Sequence, residues 1–353
     1  MSKWDHAAGA RMGTLNLVVR RPLPPRTPPR PAPPLCSPPP EGFSVTQFAL
    51  AVDLGGTKVA TALVDAAGTP LEGSRHRRPT GATATSEQLA AAVTEAVQLA
   101  LAALPDDAEL LGAGVGSAGP IAGTTGNVSP LNIAAWREYP LGSLVSEQLP
   151  GLPVTVRMDG ICITLAEVWL GAARGESNVM GMIVSTGVGG GLILDGRVIA
   201  GPTGNAGHIG HVAVAGFDDE CLCGARGCLE AIASGPRTVA WARAQGFTGD
   251  TGEQLSAAAA ANDSVARAAI ERSATAVGRA IASASALVDL DVAAIGGGFS
   301  QVSPDYVALV GDAVARHSNF GFVTKTRVVA SGLSGDGPLV GAAALIHRAD
   351  LVG

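Results

Sequence analysis

The chain has 353 residues, 47% of them hydrophobic and 15% charged, with a formal net charge of -6. That is enough for about two well-buried domains. The acidic balance excludes a binder of the nucleic-acid backbone, and no apolar stretch is long enough to span a bilayer.

Residues 1–46 stand apart. Runs such as Leu23-Pro-Pro-Arg-Thr-Pro-Pro-Arg30 and Ser37-Pro-Pro-Pro40 cannot form helix or central strand, so this segment is expected to be an extended, disordered tail. There is no signal-peptide core: Leu15 to Val19 is short and runs into Arg20-Arg21. Cys36 and Cys162 lie outside any pairing pattern, which fits a reducing, cytoplasmic location.

Folded structure is expected from Gln47. Phe48 to Asp53 reads as a buried strand, Gly55-Gly56 turns it, and Val59 to Val64 returns. Ser86 to Leu104 is helical, with Leu89, Val93, Val97, Ala100 and Leu104 on one face. A strand over 110–115, a short helix over 144–149 and a strand over 154–156 follow. A helix over 163–175 ends at a glycine. The pattern then restarts: a strand over 181–186, a glycine turn over 187–191, and strand again at 192–194 and 197–199. Helices over 234–244 and 264–288 precede a strand over 292–295 that enters Gly296-Gly-Gly298. A helix over 306–317, a strand over 326–330 and a closing helix over 338–348 complete the chain. A strand, a glycine-rich hairpin and a second strand thus occur twice, as in a duplicated α/β unit.

Three features carry chemistry. Cys221, Cys223 and Cys228, with His211 upstream, have the donor types and spacing of one closed tetrahedral zinc site. Asp53-Leu-Gly-Gly-Thr57-Lys58 and Ser185-Thr186-Gly-Val-Gly-Gly-Gly191 are hairpins whose backbone N–H groups can face phosphate oxygens. Asp53 can hold Mg²⁺ directly or through water. By contrast, Gly114-Val-Gly116-Ser-Ala-Gly119 matches a dinucleotide fingerprint only as a string. Pro120 and Gly123 follow it, so it opens a loop and not the helix that fingerprint needs.

From about residue 48 onward these motifs, with Gly207-His-Ile-Gly-His211 and Ile295-Gly-Gly-Gly298, resemble the ROK family (repressors, open reading frames and sugar kinases). The resemblance implies two ribonuclease-H-like, actin/hexokinase-type α/β domains around a cleft. They would cover residues 47–160 and 161–337, with the last helix, 338–353, packing back on the first. It implies ATP-dependent phosphorylation of a hexose or N-acetylhexosamine, usually at the 6-hydroxyl and with glucose first in frequency, and a homodimer. It makes Asp159 the catalytic base. Asn132, His208, His211 and Glu230 become sugar contacts. Asp53, Gly55, Gly56, Thr57, Lys58, Thr186, Gly187, Gly297 and Gly298 become the nucleotide site. His211, Cys221, Cys223 and Cys228 become ligands of a structural zinc, and Mg²⁺ comes with ATP. Two positions depart from the family pattern, Met158 for the usual Asn and His208 for the usual Glu. Losing an acceptor there changes which hydroxyls the site rewards. The Pro-rich tail is no winged helix, so direct DNA binding is not expected.

Overall fold

The computed structural model describes residues 45–81 and 83–352. The Pro-rich segment expected over 1–46 lies, but for its last two residues, outside the described residues. The fold holds two five-stranded sheets of the same plan, as a duplicated unit requires. In the first the order is β3-β2-β1-β4-β7, built from β1 (Gln47–Leu54), β2 (Lys58–Asp65), β3 (His76–Pro79), β4 (Glu109–Ser117) and β7 (Val154–Met158). The second runs β10-β9-β8-β11-β12, from β8 (Val179–Val184), β9 (Val188–Leu194), β10 (Arg197–Val198), β11 (Val292–Gly296) and β12 (Arg327–Ala330). In each, the opening strand pairs antiparallel with its hairpin partner and parallel with the strand after a helix. A two-stranded ribbon, β5 (Ile121–Ala122) with β6 (Asn127–Val128), projects from the first lobe.

The helices are set by caps and stripes. In α1 (Ser86–Leu101), Thr85 and Gln88 form a capping box, and Leu89, Val93, Ala96, Val97 and Ala100 are buried. Next come α2 (Leu141–Ser146), α3 (Asp159–Trp169), α4 (Leu229–Ala233), α5 (Gly235–Ala244) and α6 (Gly252–Ala260). The 25-residue α7 (Ser264–Val288) starts where the Asp263 carboxylate accepts from Ala266 N–H at 2.8 Å. It stops at Asp289, which takes a left-handed conformation. The chain ends with α8 (Tyr306–His317), α9 (Gly321–Thr324), α10 (Gly337–His347) and α11 (Ala349–Val352). One apolar core forms around the first sheet with α1, α2, α3 and α10; the other lies between the second sheet and α4 to α8. No helix among the described residues is long and apolar enough to cross a membrane.

Four sequence expectations need correction. The helix expected from Ile163 begins at Asp159 and ends at Trp169, short of Gly175. Asp-Gly, which reads as a turn, is its first turn, where an acidic side chain suits the helix's positive end. The helix expected at 144–149 runs from Leu141, because Pro140 stands just before it and blocks extension upstream. The turn expected over Gly187–Gly191 spans only Ser185 to Gly187, where Ser185 N–H donates to the Gly187 carbonyl at 2.9 Å. Gly189, Gly190 and Gly191 are strand. A Cβ on Gly190 would stand 2.8 Å from the Gly181 carbonyl, and one on Gly191 2.6 Å from that of Gly160. The missing side chain at Gly191 admits the start of α3 against β9, while that at Gly190 leaves room for β8 and Ile209. Finally, β3 and α6 had no counterpart in the expected elements. The decoy motif lies within β4 up to Ser117; there a Cβ on Gly114 would collide with the Ala342 carbonyl of α10 at 1.8 Å.

Candidate active site

A cavity of about 420 Å³ separates the first hairpin from the end of the second sheet. Asp53 and Lys58 line it from β1 and β2, and Ser185, Gly297 and Gly298 from the second lobe. Gly55, Gly56, Thr57, Thr186 and Gly187, expected beside them, are not among its walls. The first hairpin is nonetheless firmly held: Gly55 N–H donates to the Lys58 carbonyl at 2.9 Å, and Thr80 Oγ1–H to the Gly55 carbonyl at 3.0 Å. Arg75 and Arg77 bring two further cations to the cleft. The sequence hid Arg77 because His76-Arg-Arg-Pro79 is short and charged, with weak alternation as its only signal; Arg75 lies just before that strand.

Asp159 and Glu230 are not among the walls of that cavity; they lie near Asp53 and the second hairpin, where acids crowd together. Asp159 opens α3, and its Oδ1 accepts from Gly160 N–H at 2.7 Å. Burial lifts its pKa above the ordinary carboxylate value, the Gly160 N–H opposes this, and the charge of Glu230 adds to it. Asp53 is pushed up to about 7 by burial first and by the charge of Asp159 second, against the pull of Lys58. Glu230, in the first turn of α4, accepts from Val188 N–H at 3.0 Å and so ties α4 to the second hairpin. A Cβ on Gly187 would lie 2.6 Å from Glu230 Oε2, and one on Gly189 would lie 3.6 Å from Asp159 Oδ1. The second hairpin therefore runs directly past both carboxylates.

A polar wall adjoins this acid group. His208, Met158 and Asn205 converge on Gly119: a Cβ there would stand 3.0 Å from His208 Cε1, 3.1 Å from Met158 Sδ and 3.5 Å from Asn205 Oδ1. Met158 is only 2% exposed, so its thioether is packing and His208 supplies the polar edge. Burial, and then His211, hold the His208 imidazole below its ordinary pKa. Asn205 opens the segment that runs to His208 and His211. It bridges lobes by accepting from Ile121 N–H at 2.8 Å and donating to the Ile121 carbonyl at 2.7 Å. Asn132, from the loop before α2, packs against the first hairpin, where a Cβ on Gly56 would meet its Nδ2 at 2.4 Å.

The rings of His208 and His211 stand 4.8 Å apart, edge to face. Behind them, one nitrogen of His211 and the sulfurs of Cys221, Cys223 and Cys228 all lie within 4.8 Å of one another. His211 Nδ1 is 3.5 Å from Cys221 Sγ, and the sulfurs of Cys223 and Cys228 are 3.7 Å apart. A zinc tetrahedron with bonds of about 2.0–2.3 Å has edges of roughly 3.5–3.8 Å, so the donor set fits that ion in both chemistry and spacing.

Two ribonuclease-H-like sheets with an acid-opened helix between them make this a protein of the actin/hexokinase-type fold. The chain belongs to the ROK family, whose model matches residues 49–349. It is 36% identical over 263 residues to an N-acetylmannosamine kinase of Escherichia coli O139:H28, covering 74% of this chain and 86% of that one. Among solved structures it resembles a ROK hexokinase from Thermus thermophilus, with TM-score 0.74 and 30% identity over 86% of this chain and 99% of that one. It also resembles a ROK glucokinase from Streptomyces griseus solved with glucose and AMPPNP, with TM-score 0.74 and 29% identity over 85% and 99% of the two chains.

Proposed function

We propose that the protein transfers the γ-phosphoryl group of ATP to a hydroxyl of a hexose or N-acetylhexosamine, the 6-hydroxyl by family pattern, with Asp159 as general base. The observation that carries this reading is the position of Asp159. It sits on the helix between the lobes, beside the second hairpin and close enough to Asp53 for its charge to raise the Asp53 pKa. A carboxylate with a raised pKa accepts a proton more readily and so suits the removal of an alcohol proton during attack. Asp159 would also orient the attacking oxygen, since this chemistry depends chiefly on positioning and charge stabilisation.

Lys58, Arg75 and Arg77 would face the phosphate chain in the 420 Å³ cleft, and Gly297 and Gly298 would leave room for the nucleoside. Asp53 would hold Mg²⁺ directly or through water; the ion supplies charge neutralisation on the phosphates when bound. On the sugar side, His208, Glu230 and Asn132 would contact hydroxyls, with His211 beside them. His211 and the three cysteines would hold a structural zinc, which keeps the loop bearing His208 in place.

The kinships set the order of sugars to try, N-acetylmannosamine and glucose first. A coupled ADP-release assay over hexoses and N-acetylhexosamines tests the reading. Asp159→Asn should cost a factor of about 10²–10⁴ in kcat with sugar binding and melting temperature retained. Near-normal turnover of that variant overturns the base assignment. Sugar binding without ADP release from any member of the panel would instead indicate a non-catalytic sugar sensor.

A further inference from the structure

The β5–β6 ribbon of the first lobe has one edge that β6 does not use. The Pro120 and Ala122 carbonyls face β6 and its turn, accepting from Ser129 N–H at 2.9 Å and Gly126 N–H at 2.8 Å. Ile121 and Gly123 therefore present their backbone groups to the opposite side, and there the second lobe meets them. Ile121 N–H donates to Asn205 Oδ1 at 2.8 Å, and Asn205 Nδ2–H donates to the Ile121 carbonyl at 2.7 Å. Gly123 N–H donates to the Thr203 carbonyl at 3.0 Å. The Asn205 carboxamide thus takes the place of a neighbouring strand's N–H and C=O. Gly204 permits this approach, since a Cβ on it would stand 2.9 Å from Gly123 Cα.

We infer that Asn205 is a positioning residue for the sugar wall, acting through His208. This rests on the sugar-kinase reading above and adds to it a residue outside the sugar contacts named there. The lever arms are short: in sequence Asn205 stands just before Ala206-Gly207-His208, and Ile121 just after Gly119-Pro120. Between Asn205 and His208 the chain has little slack, because Ala206 N–H donates to the Ala200 carbonyl at 2.9 Å and a Cβ on Gly207 would stand 3.0 Å from Gly191 Cα. The carboxamide therefore sets how closely His208, on the second lobe, approaches Gly119 and Met158, on the first. Both halves of the amide are needed, an acceptor for the Ile121 N–H and a donor for its carbonyl; a carboxylate lacks the donor and an aliphatic side chain lacks both. Ile121 is only 5% exposed, so losing the amide strands two buried backbone groups. None of residues 119–123 or 203–208 lines the 420 Å³ cleft proposed for the nucleotide, so the effect should fall on the sugar alone.

The test joins amide hydrogen exchange to calorimetric titration of the full chain. The probes are N-acetylmannosamine, glucose, mannose and N-acetylglucosamine, each with Mg²⁺ and AMPPNP present. Asn205→Leu keeps the bulk and removes both bonds; Asn205→Asp keeps the shape and the acceptor but loses the donor, and it serves if the leucine variant folds poorly. In each, the Ile121 amide should exchange at least about tenfold faster than in wild type. The dissociation constant of the sugar that wild type binds best should rise about tenfold, with AMPPNP affinity within twofold of wild type. A link that only holds the lobes together would lower the melting temperature and leave sugar affinity alone. That result, an unchanged Ile121 exchange rate, or an equal loss of AMPPNP affinity overturns the inference while the kinase reading stands. A wild type that binds none of the four sugars instead defeats the sugar reading, and this inference with it.

Discussion

Replacing Asp53 by Asn should stabilise the ligand-free protein at alkaline pH. The carboxyl is raised from 3.8 to about 7 by burial and by Asp159. A carboxyl whose pKa is higher in the folded state favours folding while it stays protonated. Its contribution is complete below about pH 4 and is lost as pH climbs through 7. The gap of about 3 pH units, at about 1.4 kcal/mol each, sets a ceiling of roughly 4 kcal/mol. Asp53 retains a partly exposed edge, so the working expectation is roughly 2–4 kcal/mol. For a chain of this size that is about 4–8 °C in melting temperature. Differential scanning fluorimetry from pH 5 to 8.5 should show Asp53→Asn melting above wild type at pH 8.5, with the gap closing toward pH 5. Adding Mg²⁺ with nucleotide should raise wild type more than the variant at pH 8.5. A variant that never exceeds wild type, or a gap that widens toward acid, would refute the reasoning.

Gly160→Ala would push a Cβ to 2.2 Å from the Gly190 carbonyl, where backbone faces backbone and neither can yield. It should cost at least about 2 kcal/mol and most of the turnover; a wild-type melting curve would contradict the packing described. Cys228→Ser, or extraction with a strong chelator, should lower the melting temperature and raise the sugar KM while the ATP KM stays close to normal. If neither parameter moves, the cluster holds no structural ion. Arg77→Ala should raise the ATP KM about fivefold, the equivalent of about 1 kcal/mol for a partly exposed charge. The effect should fade at high salt and spare the sugar KM; a change in the sugar KM alone would place Arg77 outside the phosphate path.

Elements with a strong period or a strong cap were legible from the residues. The β1–β2 hairpin, α1, α7 and α8 declare themselves through apolar alternation, capping side chains or a 3.6-residue stripe. The grouping of His211 with Cys221, Cys223 and Cys228 was equally plain, because three thiols and an imidazole at short spacing have few other uses. The failures share one cause: a residue chosen for a long-range contact looks, locally, like a residue chosen for a turn. Gly191 is small because α3 lies on it, and Gly114 because α10 does. Asp159-Gly160 looks like a turn and is the head of a helix. Arg77 reaches the cleft only because β3 pairs with β2, a contact written in register and not in composition. Asn205 likewise shows its bridging role only when the two lobes are seen together.

The backbone contact between Gly160 and Gly190 also bears on how the two lobes can move. With no side chain between them, that point is the natural fulcrum of any swing of one sheet against the other. In a rigid rotation, displacement grows with distance from the axle. Lys58 and Gly298, out on opposite jaws, would travel far, while the carboxylate beside the fulcrum would hardly shift. The proton acceptor would thus be aimed before the jaws meet, and binding would need only to bring the phosphate to it.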